Sequence, residues 1–259
     1  MTEMLSGRRV LVTAGAGGIG LAIATAFHGA GARVVICDVD ETALARARQS
    51  HPDWLVLACD VSRREQVDAM FEAVKAQGGG ALDVLVNNAG IAGPTGGIET
   101  LEPDDWDRTI AVNLTGVYLV TRRAVPLLKA AGGGAIINIS SAAGKLGFPL
   151  RTPYSASKFG VIGLTETLAM ELGPDQIRVN AILPGVVAGD RQDRVLETKA
   201  RASGISLDEQ RRLAVARVSM RTMVLADDIA QAALFLAGPA GRYVSGERLS
   251  VGGNVEALS

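Results

Sequence analysis

Cysteine is nearly absent: Cys37 and Cys59 are the only two in 259 residues, too few for the disulfide framework of a secreted scaffold. Each lies in an apolar run that reads as strand, and the expectation is a reduced, cytoplasmic protein. No apolar run reaches the roughly 18 residues of a membrane-crossing helix, and the opening MTEMLSGRRV lacks a basic start followed by an apolar stretch. Neither a membrane span nor an export signal is therefore expected. Charge of one sign is missing too, since 26 Lys plus Arg stand against 27 Asp plus Glu. Without a basic field, nucleic acid and anionic lipid are excluded as main partners. The two histidines, His28 and His51, have no cysteine or carboxylate partners at metal spacing, so no metal is expected. Aromatics make up 4% of the chain, which disfavours a pocket built to stack large rings.

Apolar residues, by contrast, are 48% of the chain, enough to bury one large core. They fall in short β-branched runs at 8–13, 32–37, 54–59, 82–87, 135–140, 177–182 and 247–251, each with the look of a fully buried strand. Between them run Ala- and Leu-rich stretches of helical spacing at 41–49, 64–77, 114–130 and 154–172. A parallel strand pair needs a crossover long enough to hold a helix, so this alternation specifies an α/β, Rossmann-like, doubly wound parallel sheet. No linker divides the chain, and residues 1–259 read as a single domain. One segment, at about 188–225, breaks the pattern with many charges, no strand and helical spacing; it reads as a lid over a substrate.

After the first strand, TAGAGGIG at 13–20 turns into a helix whose N–H groups and positive end form an anion cradle, suited to a pyrophosphate at Gly15, Gly18, Ile19 and Gly20. A Gly-rich turn alone is weak evidence. Asp38 strengthens it: the residue ends the second strand, 18 positions beyond Gly20, about where a carboxylate accepts hydrogen bonds from a ribose diol. The same carboxylate would repel a 2′-phosphate, and no arginine follows it, so NAD is expected rather than NADP.

In YSASK, Tyr154 and Lys158 stand four apart, one turn apart on one helix face. Read with TAGAGGIG, NNAG at 87–90 and the Ser140–Ser141 pair ending a strand, the pattern resembles the short-chain dehydrogenase/reductase family from about residue 8 to 252. The resemblance implies a catalytic tetrad of Asn113 (in VNLTG), Ser141, Tyr154 and Lys158; Ser141 lies 13 residues before the tyrosine, as the family's serine does. It also implies that Asp60 and Val61 meet the adenine, that Asn87, Ala89 and Gly90 flank the cofactor, and that Pro184, Gly185 and Val187 border the nicotinamide. A homotetramer or homodimer, formed through 114–130, 154–172 and the last strand, follows from the same likeness.

The chemistry of these residues agrees. A phenol titrates near pH 10 and is a poor base at neutral pH unless its phenolate is stabilised. An ammonium about 4 Å away, at an effective dielectric near 20, contributes about 4 kcal/mol to that end. Ser141 can donate to a substrate oxygen as it gains charge, and Asn113 can hold a water linking Lys158 to solvent. The expected reaction is hydride transfer between NAD and a secondary alcohol or sugar hemiacetal, on a small polyhydroxy substrate. Carbonyl reduction and dinucleotide sensing without turnover are the alternatives. Residues 190–221 carry eight basic residues against five acidic ones, and Arg151 and Arg191 are candidates for binding an anionic group on the substrate. Two departures from the family pattern stand out: Ala14 replaces a glycine of the cofactor turn, and Gly189 replaces a threonine that would help hold the nicotinamide. A third, Gly252 in place of an acidic residue, has no explanation in the sequence.

Overall fold

The computed structural model describes residues 5–258; the side chains of residues 77, 78, 190, 191, 194, 195, 198, 199 and 202 lie outside the description. Alternation along each strand decides the layering, because successive side chains of a strand point to opposite faces. Val10 and Val12 join Ile23, Phe27, Leu44 and Ile229 on one face, while Leu11 joins Phe71, Leu85 and Leu128 on the other. Both faces are thus buried. The strands β1 (Arg9–Thr13), β2 (Arg33–Asp38), β3 (Leu55–Ala58), β4 (Val84–Asn87), β5 (Gly134–Ile139), β6 (Ile177–Pro184) and β7 (Arg248–Val251) form one sheet in the order β3-β2-β1-β4-β5-β6-β7. Every pairing is parallel. The strand order reverses between β1 and β4, and the crevice outside the carboxyl ends of those two strands is where such sheets bind ligands.

The helices α1 (Gly18–Gly29), α2 (Glu41–Ser50), α3 (Arg64–Gly78), α4 (Pro103–Ile110), α5 (Gly116–Ala130) and α6 (Thr152–Leu172) alternate with the strands. Helix α1 starts two residues before Gly20, because Gly17 takes an extended conformation and serves as its N-cap. Between α4 and α5 lies a π turn over Ala111–Thr115, a feature frequent at functional sites. The 188–225 region holds α7 (Asp190–Ser203) and α8 (Leu207–Val215), and α9 (Ala226–Ala237) follows. A short stretch after α8 is pinned on both sides, through the parallel bridge Val187–Val224 and the antiparallel bridge Val218–Val255.

At the rim opposite the crevice, Asp83 accepts from the Arg9 N–H at 2.9 Å and Nε at 2.7 Å, and from Arg8 Nη1 at 2.9 Å. Burial pushes its carboxyl up, but the bonds from Arg9 and Arg8 outweigh that and hold it below the usual aspartate range. Among the described residues no helix is long and apolar enough to cross a membrane, and no group of three or more His, Cys, Asp or Glu is placed to hold a metal.

Candidate active site

Close packing shapes the turn between β1 and α1. A Cβ on Gly15 would lie 2.7 Å from Ile36, and one on Gly20 would lie 2.1 Å from the Ala14 carbonyl, so side chains are excluded there. Gly18 is different: it sits at φ +51 with open space before it, which leaves room for a ligand to approach the backbone. Ala14 also adopts a left-handed backbone, φ 48. The turn therefore keeps the geometry that a glycine would take, at a cost of about 1–2 kcal/mol for an L-residue.

Asp38 faces this turn. Its Oδ2 accepts from the Ala16 N–H at 3.1 Å, while Oδ1 accepts from Val39 and Asp40 at 2.8 and 3.2 Å. Three backbone donors aim the carboxylate, and its remaining lone pairs suit a diol. Asn88 closes the other side, donating to the carbonyls of Thr13 (3.1 Å) and Ala14 (3.0 Å), and the Thr13 hydroxyl accepts from the N–H groups of Asn88 and Ala89 at 2.9 and 3.0 Å. Asn87 takes another direction. It is 2% exposed, and its amide donates to Thr121 (3.0 Å) and Asn138 (2.8 Å), so it ties β4 to β5 and α5 beneath the crevice. Asp60 is held by the Ser62 N–H and hydroxyl at 2.9 and 2.7 Å, and Val61 is packed so tightly that a Cβ on Gly116 would lie 2.7 Å from it.

Gly90 marks where the candidate catalytic groups converge. A Cβ there would lie 3.3 Å from both Asn113 Oδ1 and Lys158 Nζ. Lys158 is 4% exposed, donates to the Ile139 carbonyl at 2.9 Å and stands 5.8 Å from the centre of the Tyr154 ring. Helical spacing puts the two on one face, as expected. Asn113 sits in the π turn, fully buried. Both its amide hydrogens are committed, to the Ile91 carbonyl at 3.0 Å and Ser157 Oγ at 3.1 Å, and its Oδ1 accepts from the Ile91 N–H at 2.8 Å. Of its side chain, only a second Oδ1 lone pair is left for a water. Ser157 in turn donates to the Tyr154 carbonyl at 2.7 Å, linking the asparagine to the tyrosine's own helical turn.

The two serines of β5's end divide their roles. Ser140 is buried and donates to the Lys158 carbonyl at 2.9 Å. Ser141 is half-buried and caps a short turn, its Oγ accepting from the Ala143 N–H at 3.1 Å, so its hydrogen stays available to donate. The guanidinium of Arg151 lies 5.6 Å from the Tyr154 ring centre and 5.4 Å from that of Phe148, and donates to the Ala92 carbonyl at 2.7 Å. The Arg191 side chain lies outside the described residues.

Beyond β6, Gly185 donates to the Val251 carbonyl at 2.9 Å and meets Gly252: a Cβ on either would lie 2.7 Å from the other's Cα. That contact explains Gly252, where an acidic side chain would split the pair. Gly189 has φ 141, a conformation a threonine rarely adopts, so the 188–225 region leaves the sheet on a backbone path that its glycine permits. Many of its charges are already paired: Arg211 with Asp193 (3.1 Å) and Asp208 (3.6 Å), Arg212 with Glu209, and Arg201 with Glu197 (3.7 Å).

Residues 14–254 match the family model described as enoyl-(acyl carrier protein) reductase. The chain belongs to the short-chain dehydrogenase/reductase family. Similar members include the 3-oxoacyl-[acyl-carrier-protein] reductase FabG of Thermotoga maritima, 36% identical over 97% of this chain and 98% of its own. The D-threitol dehydrogenase of Mycolicibacterium smegmatis is 37% identical over 96% of this chain and 93% of its own, and a probable galactose dehydrogenase, GalD, of Rhizobium meliloti is 36% identical over 97% and 96%. The protein is accordingly a short-chain oxidoreductase, of a family that binds a nicotinamide dinucleotide. Three residues of this short-chain site went unassigned in the sequence: Thr13, Asn88 and Ser157. Asn88, as the second asparagine of NNAG, and Ser157, inside YSASK, lay within motifs already in hand.

Proposed function

We propose that the protein is an NAD-dependent oxidoreductase that moves hydride between a secondary alcohol, or a sugar hemiacetal carbon, and the nicotinamide. The observation that carries this reading is the approach of Asn113 and Lys158 to Gly90, with the Tyr154 ring 5.8 Å from the Lys158 Nζ, in a chain whose Gly-rich turn is faced by the Asp38 carboxylate. The residues fit the cofactor: open space before Gly17 and Gly18 admits a pyrophosphate to the backbone, and Asp38 offers acceptors to the ribose. In this reading Asp60 and Val61 face the adenine, Asn87, Ala89 and Gly90 support the cofactor's underside, and Pro184, Gly185 and Val187 border its nicotinamide. When bound, the nicotinamide supplies the hydride acceptor. Tyr154 takes the hydroxyl proton, Lys158 stabilises the phenolate and Ser141 donates to the substrate oxygen. Asn113 and Ser157 hold the tyrosine's turn in place.

The relatives named for galactose and D-threitol support a small polyhydroxy substrate, and the 188–225 region is its lid. Reduction of a carbonyl through the same residues is the second reading, favoured by the relative named for 3-oxoacyl reduction. Exposed Tyr118 on α5 and Phe159 on α6, with Tyr243 in the segment between α9 and β7, support a homotetramer or homodimer, and the two free thiols support a cytoplasmic setting. The test is a screen of sugars, sugar acids and small alcohols, following NADH and NADPH in parallel. Turnover with NAD, lost in Tyr154→Phe while NAD binding persists, supports the proposal. Bound NAD without turnover of any alcohol or carbonyl would make the protein a dinucleotide sensor.

A further inference from the structure

A cleft of about 500 Å³ opens between the loop following Ser141 and the end of the chain. Leu146, Phe148 and Pro149 form one wall; Glu256, Ala257 and Leu258 form the other. Its size falls in the range of small-molecule sites. The cleft lies close to the Tyr154 side chain, because a single guanidinium, that of Arg151, lies over both the Phe148 and Tyr154 rings. The far wall is anchored where it begins, at residues 254–256. Val255 bridges Val218, the Glu256 N–H donates to the Arg217 carbonyl at 2.8 Å, and Ser219 donates to Glu256 Oε1 at 2.6 Å. Asn254 adds a bond to the same serine at 2.7 Å. A wall held this way loses little entropy when something packs on it.

We infer that this cleft is the subsite for the part of the substrate beyond its carbinol carbon, and that it takes a neutral, apolar group rather than a carboxylate or phosphate. The inference rests on the reading of Tyr154 as the proton-transfer residue and narrows it. Two observations decide the chemistry. The walls are chiefly aliphatic and aromatic, and the one ionisable side chain among them is the acidic Glu256, which repels anions. No basic residue is among those that line the cleft; Lys145 and Arg151, the nearest in sequence, donate to Ser250 at 3.2 Å and to the Ala92 carbonyl at 2.7 Å. The anionic substrate expected from the basic residues of 190–221 is therefore disfavoured, and a polyhydroxy substrate is one with an unsubstituted or deoxygenated far end.

The experiment titrates NAD-loaded protein calorimetrically with two probes that share a carbinol, benzyl 3-hydroxybutyrate and 3-hydroxybutyrate itself. Burying the phenyl group predicts that the ester binds at least about tenfold more tightly than the acid. Leu258→Asp places a charge in the wall and should bring that ratio below about threefold, with NAD affinity unchanged, and Glu256→Gln should improve the acid alone. Equal or tighter binding of the acid, or a ratio untouched by Leu258→Asp, overturns the inference. NADH formation is read in the same samples. Ester preference without any turnover would overturn the hydride-transfer reading and leave a binding cleft, whereas turnover without ester preference would overturn the cleft alone.

Discussion

Replacing Asp38 by Asn changes one charge at the place where the two nicotinamide dinucleotides differ. The carboxylate is aimed by the N–H groups of Ala16, Val39 and Asp40, and an asparagine still offers an acceptor to Val39 and Asp40, so the turn should survive. For NAD, two ribose hydrogen bonds pass from a charged to a neutral acceptor, each losing about 1 kcal/mol. For NADP, the substitution removes repulsion from the 2′-phosphate. Unit charges about 4 Å apart at an effective dielectric near 20 interact by about 4 kcal/mol, and solvent at this half-exposed position halves that to about 2. Together the changes move the NAD-to-NADP preference by about 4 kcal/mol, or about a thousandfold. Cofactor dissociation constants measured by nicotinamide fluorescence, for wild type and variant at one ionic strength, give the ratio directly. A wild type that prefers NADP, or a shift below about tenfold, refutes the assignment of Asp38 to the ribose.

Four further outcomes follow from particular contacts. Asp83 has a depressed carboxyl, so its stabilising effect is full above the ordinary aspartate value and is lost as pH falls through the folded one; thermal unfolding should show Asp83→Asn less stable than wild type by about 2 kcal/mol at neutral pH, with the gap closing below about pH 4. Ala14→Gly removes a left-handed alanine, and after the added backbone entropy of glycine it should raise Tm by about 1–3 °C. Ser157→Ala breaks the bridge between Asn113 and the Tyr154 carbonyl; steady-state kinetics should show kcat lowered about tenfold with the NAD dissociation constant unmoved. Gly252→Ala puts a Cβ against the backbone of Gly185, which has no side chain to yield, and denaturant titration should show a loss above about 2 kcal/mol.

Much of this was legible in one sequence because the governing signals are local. Strand period 2, crossover length and the turn TAGAGGIG specify the sheet and its crevice, and the four-residue spacing of Tyr154 and Lys158 survives folding because a helix preserves it. Ser140 and Ser141 are told apart in the sequence only by their distance from Tyr154, and in the structure they have different partners, the Lys158 carbonyl for one and the Ala143 N–H for the other. What escaped depends on contacts between distant segments. The sequence says nothing of Asn88 reaching the carbonyls of Thr13 and Ala14, or of Gly252 meeting Gly185. Likewise, Arg151 reads as a free cation until Ala92, Phe148 and Tyr154 are folded around it. The π turn at Asn113 interrupts an otherwise ordinary helical pattern, and nothing in the composition of AVNLT marks it.

The most direct measurement follows a deuterium label from the carbinol carbon of an accepted alcohol. Wild-type protein should deliver it to the nicotinamide ring, and Tyr154→Phe should deliver none while binding NAD with undiminished affinity. Label transfer that persists without the Tyr154 hydroxyl would contradict its role in moving the proton.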